Sequence, residues 1–279
     1  MRALNNYLTF ITKTSKMKKE IYFKRLPIMI FIMAVMLGSF NSIKAQDITT
    51  YQYRHVAPDK VDEFIKRETT YWSKVARKAI DNGKMSFWAL LEKVGGTDMA
   101  TASNYMFVNS FPDINTDLSK VFDPTKLFPG IPISKIETNS ISTTTGEVFI
   151  MDNAWVQAAN AVPDKDFNYV MMNYHNSSDP ASFNAIEKNN WGPFIKTAMD
   201  NNQVDQKAWG NSIVLVPTGG DMKFNCLSID LYSNLKSALN PTWSSNVTFP
   251  NAGLDSLQKI SLNPPARILY RVVKVEAKK

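Results

Sequence analysis

Residues 64–82, FIKRETTYWSKVARKAIDN, and residues 183–201, FNAIEKNNWGPFIKTAMDN, decide how this chain is read. At an offset of 119 positions Phe64 falls on Phe183, Glu68 on Glu187, Trp72 on Trp191, Ala79 on Ala198, Asp81 on Asp200 and Asn82 on Asn201. Self-similarity at a fixed spacing means that one structural unit is written twice. The offset returns near the end of each half, where Val156-Gln157-Ala158 falls on Val275-Glu276-Ala277. Between these blocks the register slips, but Gly95-Gly96-Thr97-Asp98-Met99 still answers Gly219-Gly220-Asp221-Met222, and Asp123-Pro124-Thr125 answers Asn240-Pro241-Thr242.

Working outward, each copy has the same order of elements. Val61, Phe64, Ile65, Trp72, Val75, Ala76 and Ala79 recur at three- and four-residue steps, the apolar face of a helix of about six turns. Pro58 or Pro180 opens this helix, acids at Asp59, Asp62 and Glu63 suit its positive end, and Asn82-Gly83 stops the first copy. A strand precedes it, over 48–56 or 167–175. A pair of strands follows, 86–94 with 105–111 and 208–216 with 223–231. Both pleats of Phe87-Trp88-Ala89-Leu90-Leu91 and of Ile213-Val214-Leu215-Val216 are apolar, so the sheet is covered on both faces. A proline-interrupted helical stretch, 114–136 or 234–260, leads to a closing strand, 147–158 or 266–277. Strand, helix, strand, strand, helix, strand is the ferredoxin-like order. Helices cover one face of such a sheet, and the second copy supplies a cover for the other.

This element order, the helix-borne Glu68-to-Trp72 and Glu187-to-Trp191 pairs and the double-glycine hairpins resemble the dimeric α/β-barrel superfamily. The resemblance covers essentially all of the chain beyond residue 45. It implies an α+β fold of two tandem ferredoxin-like βαββαβ units, 46–160 and 161–279, packed sheet to sheet as an intrachain barrel, in an exported bacterial branch. Members of that superfamily include cofactor-free monooxygenases, haem-degrading enzymes, haem-binding chlorite dismutases and proteins without known chemistry, so the resemblance carries a fold and no activity. The asparagine, tryptophan and histidine set of the haem-degrading members has no matching placement here.

A net charge of +7 invites a nucleic-acid reading, which its distribution removes. Residues 1–45 hold eight of the 32 basic residues and one of the 25 acids, leaving 24 of each sign in the rest. No electrostatic footprint for nucleic acid remains. The basic segment from Met17-Lys18-Lys19 to Arg25, the apolar run from Leu26 to Phe40 and the polar stretch ending at Ala45 have the order of a secretory signal. At about fifteen residues the run falls short of the roughly twenty that span a bilayer. The expectation is cleavage after Ala45, no stable membrane anchor afterwards, and a periplasmic or secreted monomer or homodimer. Cys226 is the single cysteine, so no intrachain disulfide forms, and its apolar strand context predicts a buried, inert thiol. No metal site or cofactor is expected: Cys226 has only His55 and His175 as partners, there is no phosphate-binding glycine loop, and no Gly-x-Ser-x-Gly elbow occurs.

Candidate chemistry rests on polar residues that interrupt apolar elements. His55 and His175, the only histidines, end the first strand of each copy at what reads as one equivalent place, where an imidazole could serve as a base. Glu68 and Glu187 border the helix's apolar face, where burial would raise a carboxyl's pKa for acid–base work or where it would accept a structural hydrogen bond. Tyr53, Arg54, Asn109, Asp152, Asn173, Tyr174 and Asp230 interrupt strands and are candidates for ligand binding, as is Trp243 in its Pro-Thr-Trp-Ser-Ser loop. Arg54 has no cationic counterpart in the second half, where Tyr174 stands, an asymmetry expected if one half kept a site and the other became scaffold and explained equally well by drift. The reading is an exported protein that binds a small apolar or aromatic molecule between its two units, or serves structurally. The alternative is a cofactor-free monooxygenase or isomerase using His55 or His175 as base.

Overall fold

A computed structural model describes residues 47–95, 102–113, 115–218 and 223–278. The leader over 1–45 and most of both double-glycine connections lie outside the described residues. The first half runs β1 (Ile48–His55), a 3-10 turn at Pro58–Lys60, α1 (Val61–Arg67), α2 (Ser73–Asp81), β2 (Phe87–Lys93), β3 (Tyr105–Phe111), α3 (Leu118–Val121) and β4 (Thr143–Gln157). After α4 (Pro163–Asp166), the second runs β5 (Tyr169–His175), α5 (Pro180–Ile186), α6 (Gly192–Asp200), β6 (Ala208–Val216), β7 (Cys226–Tyr232), α7 (Leu235–Leu239), α8 (Asn251–Ile260) and β8 (Ala266–Ala277).

The eight strands form one closed antiparallel barrel in the order β1-β3-β2-β8-β5-β7-β6-β4. Read around the ring, β4-β1-β3-β2 and β8-β5-β7-β6 are the same sequence of positions within each half. The pairs β2–β8 and β4–β6 join the halves. Two sheets expected to meet face to face are therefore also hydrogen-bonded edge to edge, which satisfies the backbone of every barrel edge. Register shifts in the β1–β4, β2–β8 and β4–β6 pairs supply the local bends that closure needs.

Strand alternation sorts side chains into an inner and an outer set. Tyr51, Leu91, Met106, Ile150, Met172, Leu227 and Tyr270 fill the barrel. The outer set meets the helices: Trp88, Leu90 and Phe107 pack with Phe64 and Ala76 in the first half, and Trp209 with Ile195 and Ala198 in the second. Phe64 and Leu90 have no exposed surface, and burial of such a side chain contributes about 1.5–3 kcal/mol.

Two departures from the sequence reading position the site. The long helix is not one continuous α-helix: a single π-helical turn, Glu68–Trp72 in the first half and Glu187–Trp191 in the second, joins its α segments. The wider turn separates each Glu from its Trp, which four-residue spacing would have stacked on one line. Glu68 is buried, while the half-buried Trp72 donates its indole N–H to the Ile136 carbonyl at 3.0 Å. Second, the helix expected over 114–136 is reduced to α3 and a 3-10 turn at Ile133–Lys135. Pro124, Pro129 and Pro132 each lack the N–H a helix needs. The corresponding part of the second half does form α8.

Candidate functional site

Two asparagines fix which positions correspond. Asn104 accepts from the Val56 N–H at 2.9 Å and donates to its carbonyl at 2.7 Å; Asn225 does the same to Ser177, at 2.9 and 2.8 Å. In this frame Arg54 corresponds to His175, Phe107 to Ser228 and Asn109 to Asp230. His55 and His175 are thus not at one equivalent place. The loop after the first strand differs in length between the halves, so matching the helices misaligns the strand ends. His55 shares the alternation of the inner Tyr51 and Tyr53 and bonds through Nδ1 to the Ala102 carbonyl oxygen at 2.7 Å. His175 lies on the helix-facing alternation of β5.

In the first half the space between sheet and helix is filled. Phe107 packs with Phe64 and Trp88, each ring centroid 6.1 Å away. Arg54 is buried under the segment leading into β4, bonding the Thr144 hydroxyl at 2.8 Å, the Asn139 amide oxygen at 2.9 Å and the Ser142 hydroxyl. Glu68 accepts from the Thr138 hydroxyl at 2.6 Å. Burial pushes its carboxyl up to about 7, opposed by that hydrogen bond and by the Arg54 charge. Asn109 donates to the Thr50 hydroxyl at 3.3 Å. These residues hold one another, with the Arg54 Nε buried and without a hydrogen-bond partner, and neither Arg54 nor Asn109 lines the cavity described next.

The second half keeps the same space open, as a cavity of about 640 Å³ that communicates with solvent. Its floor is polar, from Asn173 and His175 of β5, Ser228 and Asp230 of β7, and Glu187 of the π turn. Phe183, Trp191 and Trp209 form aromatic walls, and Leu254 and Leu257 of α8 with Leu262 cover the far side. Gly253 lets α8 sit this close to the π turn, since a Cβ there would come within 2.8 Å of the Asn190 Cβ.

The floor is wired as two connected groups. His175 Nε2 and the Ser228 hydroxyl lie 3.0 Å apart, and the Ser228 hydroxyl also bonds the Glu187 carboxyl. Asn211 donates to Glu187 at 3.1 Å. Burial pushes Glu187 up to about 8, with the Asp230 charge adding to it, and pushes His175 down to about 4. Near neutral pH the imidazole is uncharged and most of Glu187 holds its proton. Asp230, also raised by burial, accepts from Asn173 and Gln206, each at 2.9 Å, and Arg267 donates to the Asn173 carbonyl oxygen at 3.1 Å.

Of the sequence candidates, His175, Glu187 and Asn173 therefore meet in one pocket, joined by Asp230. The others are elsewhere. Tyr53 and Tyr174 point into the barrel, where their hydroxyls bond at 3.2 Å and tie the halves together. Asp152 sits at the β4–β6 seam, accepting from Thr49 at 3.2 Å and Ser212 at 2.7 Å. Trp243 stacks on Phe194, centroids 5.9 Å apart, and lies behind Trp191 without lining the cavity. The expected cavity between the two units is instead occupied by the inner core, because large side chains from all eight strands meet there. Ser228 escaped the sequence reading. The alternation Leu227-Ser228-Ile229-Asp230-Leu231, apolar inside and polar under the helix, was the signal for Ser228. Cys226 is buried beside Asn184, its thiol pushed up to about 12 by burial.

Among the described residues no helix is long and apolar enough to cross a membrane, and no group of three or more His, Cys, Asp or Glu is placed to hold a metal. No family model matches the chain, nor does any curated protein. Solved structures do. An anthrone oxidase-like protein superposes with a TM-score of 0.53 at 9% identity, over 84% of this chain and 94% of the other. A candidate monooxygenase from Lactobacillus acidophilus NCFM gives 0.49 at 9%, over 83% and 96%. A heme-binding protein from Thermus thermophilus gives 0.43 at 10%, over 81% and 91%. At these identities the likeness is one of architecture: the chain shares a closed antiparallel α+β barrel fold with the anthrone oxidase-like protein.

Proposed function

We propose that the protein binds a small, flat, largely apolar molecule in the pocket between the second half's sheet and its long helix. The observation that carries this reading is the cavity itself: several hundred Å³, aromatic walls and a few convergent polar groups, the usual make-up of a small-molecule site. Trp191 and Trp209 offer flat faces, and the polar floor fixes one end of the guest. Native mass spectrometry of gently purified protein tests this. An adduct in one-to-one ratio is expected, absent from a Ser228→Phe variant that copies Phe107. Protein that carries no adduct, and takes none up from a panel of naphthols, quinones and aromatic amines, refutes the reading.

A second reading, proton transfer on the bound molecule, is favoured by the row His175, Ser228, Glu187. In a balanced shift, Glu187 donates its proton to one atom of the guest, neutral His175 takes a proton from another, and the Nε2 hydrogen of His175 passes to Ser228 as the Ser228 hydrogen passes to Glu187, which restores the row. Such a site could shift a proton within an aryl ketone, as an isomerase does, or remove one ahead of a cofactor-free oxygenation. Deuterium exchange from heavy water into a bound aryl ketone is the expected sign, lost in His175→Ala and retained in His55→Ala.

The wider setting follows the same reading. Residues 1–45 act as a secretory signal, and the protein works in the periplasm or outside the cell. The chain is a fused pair of ferredoxin-like units, 46–160 and 161–279, of which the second kept a ligand site. Fractionation of cells expressing the full chain tests the address, with Gln46 expected at the N-terminus of the exported form.

A further inference from the structure

The pocket's chemistry narrows the class of guest, and this step rests on the binding reading above. The amide of the floor, and the two that bond its acids from behind the lining, are spent. Asn173 gives both hydrogens of its amide nitrogen to protein acceptors, the Asp230 carboxylate at 2.9 Å and the Ser228 carbonyl at 3.3 Å. Gln206 gives its pair to Asp230 at 2.9 Å and the Ala208 carbonyl at 3.0 Å. Asn211 gives its pair to Glu187 and to the Asn184 carbonyl, both at 3.1 Å. Each of these nitrogens has two hydrogens and no more.

Acceptors, by contrast, are in surplus. Asp230 receives one amide hydrogen bond on each carboxylate oxygen, although each has two lone pairs. Glu187 takes one amide bond from Asn211 and one from Ser228. On the floor the exchangeable hydrogens left are those of Ser228, His175 and the Glu187 carboxyl, of which the first two groups already face each other at 3.0 Å; away from the floor, Gln258 and Asn263 add side-chain amides to the lining. No lysine or arginine lines the cavity, since Arg267 turns its Nε to Asn173 from outside it. Three aromatic rings complete the wall, and the faces of Trp and Phe attract cations.

We propose that the guest presents a protonated amine, held between the acids Asp230 and Glu187 and against the Trp191 and Trp209 rings, with its apolar body under α8. Glu187, which keeps its proton in the empty pocket, gives it up when the cation arrives, because an adjacent positive charge favours the ionised carboxylate. Two acids, no lining cation, engaged floor amides and an aromatic wall agree on a hydrogen-bond-donating cation. An anionic guest would find no lysine or arginine in the lining to balance its charge and two acids to repel it.

Calorimetric titration with three probes of one shape, naphthylethylamine, naphthylethanol and naphthylacetate, separates the outcomes. The amine is expected to bind at least about tenfold more tightly than the alcohol, with the carboxylate weakest. In Glu187→Gln, which keeps the shape of the acid, most of the amine's advantage should disappear while the alcohol's affinity holds. Thermal melting of the variant verifies that it is folded. If the alcohol or the carboxylate binds as well as the amine, or if Glu187→Gln leaves the preference intact, the amine assignment is overturned and the binding reading stands. If none of the three saturates the site, both fall.

Discussion

Replacing Glu187 by Gln should make the protein more stable above about pH 5 and flatten its pH dependence. Glu187 is 5% exposed, and burial raises its carboxyl from 4.5 to about 8. A carboxyl whose native pKa lies above its unfolded value contributes its full stability below the unfolded value and loses it as pH rises through the native one. Here that window runs from about 4.5 to about 8. With these limits, linkage gives a cost on the order of 1 kcal/mol at pH 5 and about 3 kcal/mol at pH 7. Gln cannot ionise, and it keeps an oxygen for the Asn211 amide, so the variant escapes the slope. At roughly 2–4 °C per kcal/mol for a chain of this size, the wild-type Tm should fall between pH 5 and 7 by about 4–8 °C more than the variant's. Differential scanning calorimetry at half-unit pH steps reads this directly. The comparison uses slopes, so a uniform loss from a disturbed hydrogen bond does not obscure it. Parallel Tm curves for the two proteins would refute the claim that Glu187 is buried and protonated.

Glu68→Gln should show the same flattening over a narrower window ending near pH 7, since its carboxyl is raised to about 7. Arg54→Met should lower stability by about 1.5–3 kcal/mol in denaturant unfolding, because it removes the buried charged donor shared by the Asn139, Thr144 and Ser142 side chains; a loss below about 1 kcal/mol would mean that the first half tolerates the loss of this network. Gly253→Ala must push α8 off Asn190, so weaker probe binding is expected with a Tm drop of only a few degrees. Ser228→Phe should abolish probe binding while leaving the far-ultraviolet circular dichroism unchanged; retained affinity would place the guest elsewhere.

The architecture was legible because periodicity and punctuation are local. The 119-residue offset, the Pro58 and Pro180 helix starts and the apolar runs of β2 and β6 each report on their own element. What the chain could not disclose alone is pairing between distant segments. Nothing in Val148 or Val214 announces that β4 and β6 close the barrel. The π turns are equally silent, since Glu68 and Trp72 fit a regular helix by spacing. For the site, the residue types were right and their company was not. His175, Glu187 and Asn173 converge, but which face of a strand meets the helix depends on register, and the loop after the first strand shifts that register between the halves. A one-residue error there exchanges inside for outside. It made His55 look like the partner of His175, when Arg54 holds that position.

Both barrel halves belong to one polypeptide, and this matters for how the pocket can change. In a ring of two identical chains every substitution lands twice, so filling one cavity fills both, and neither copy can specialise alone. Here the seams β2–β8 and β4–β6 hold together segments encoded separately. Phe107 can plug one side while Ser228 keeps the other hollow. The plugged half then serves as a rigid wall against which the open half varies its guest, and stability and selectivity can be altered at different codons.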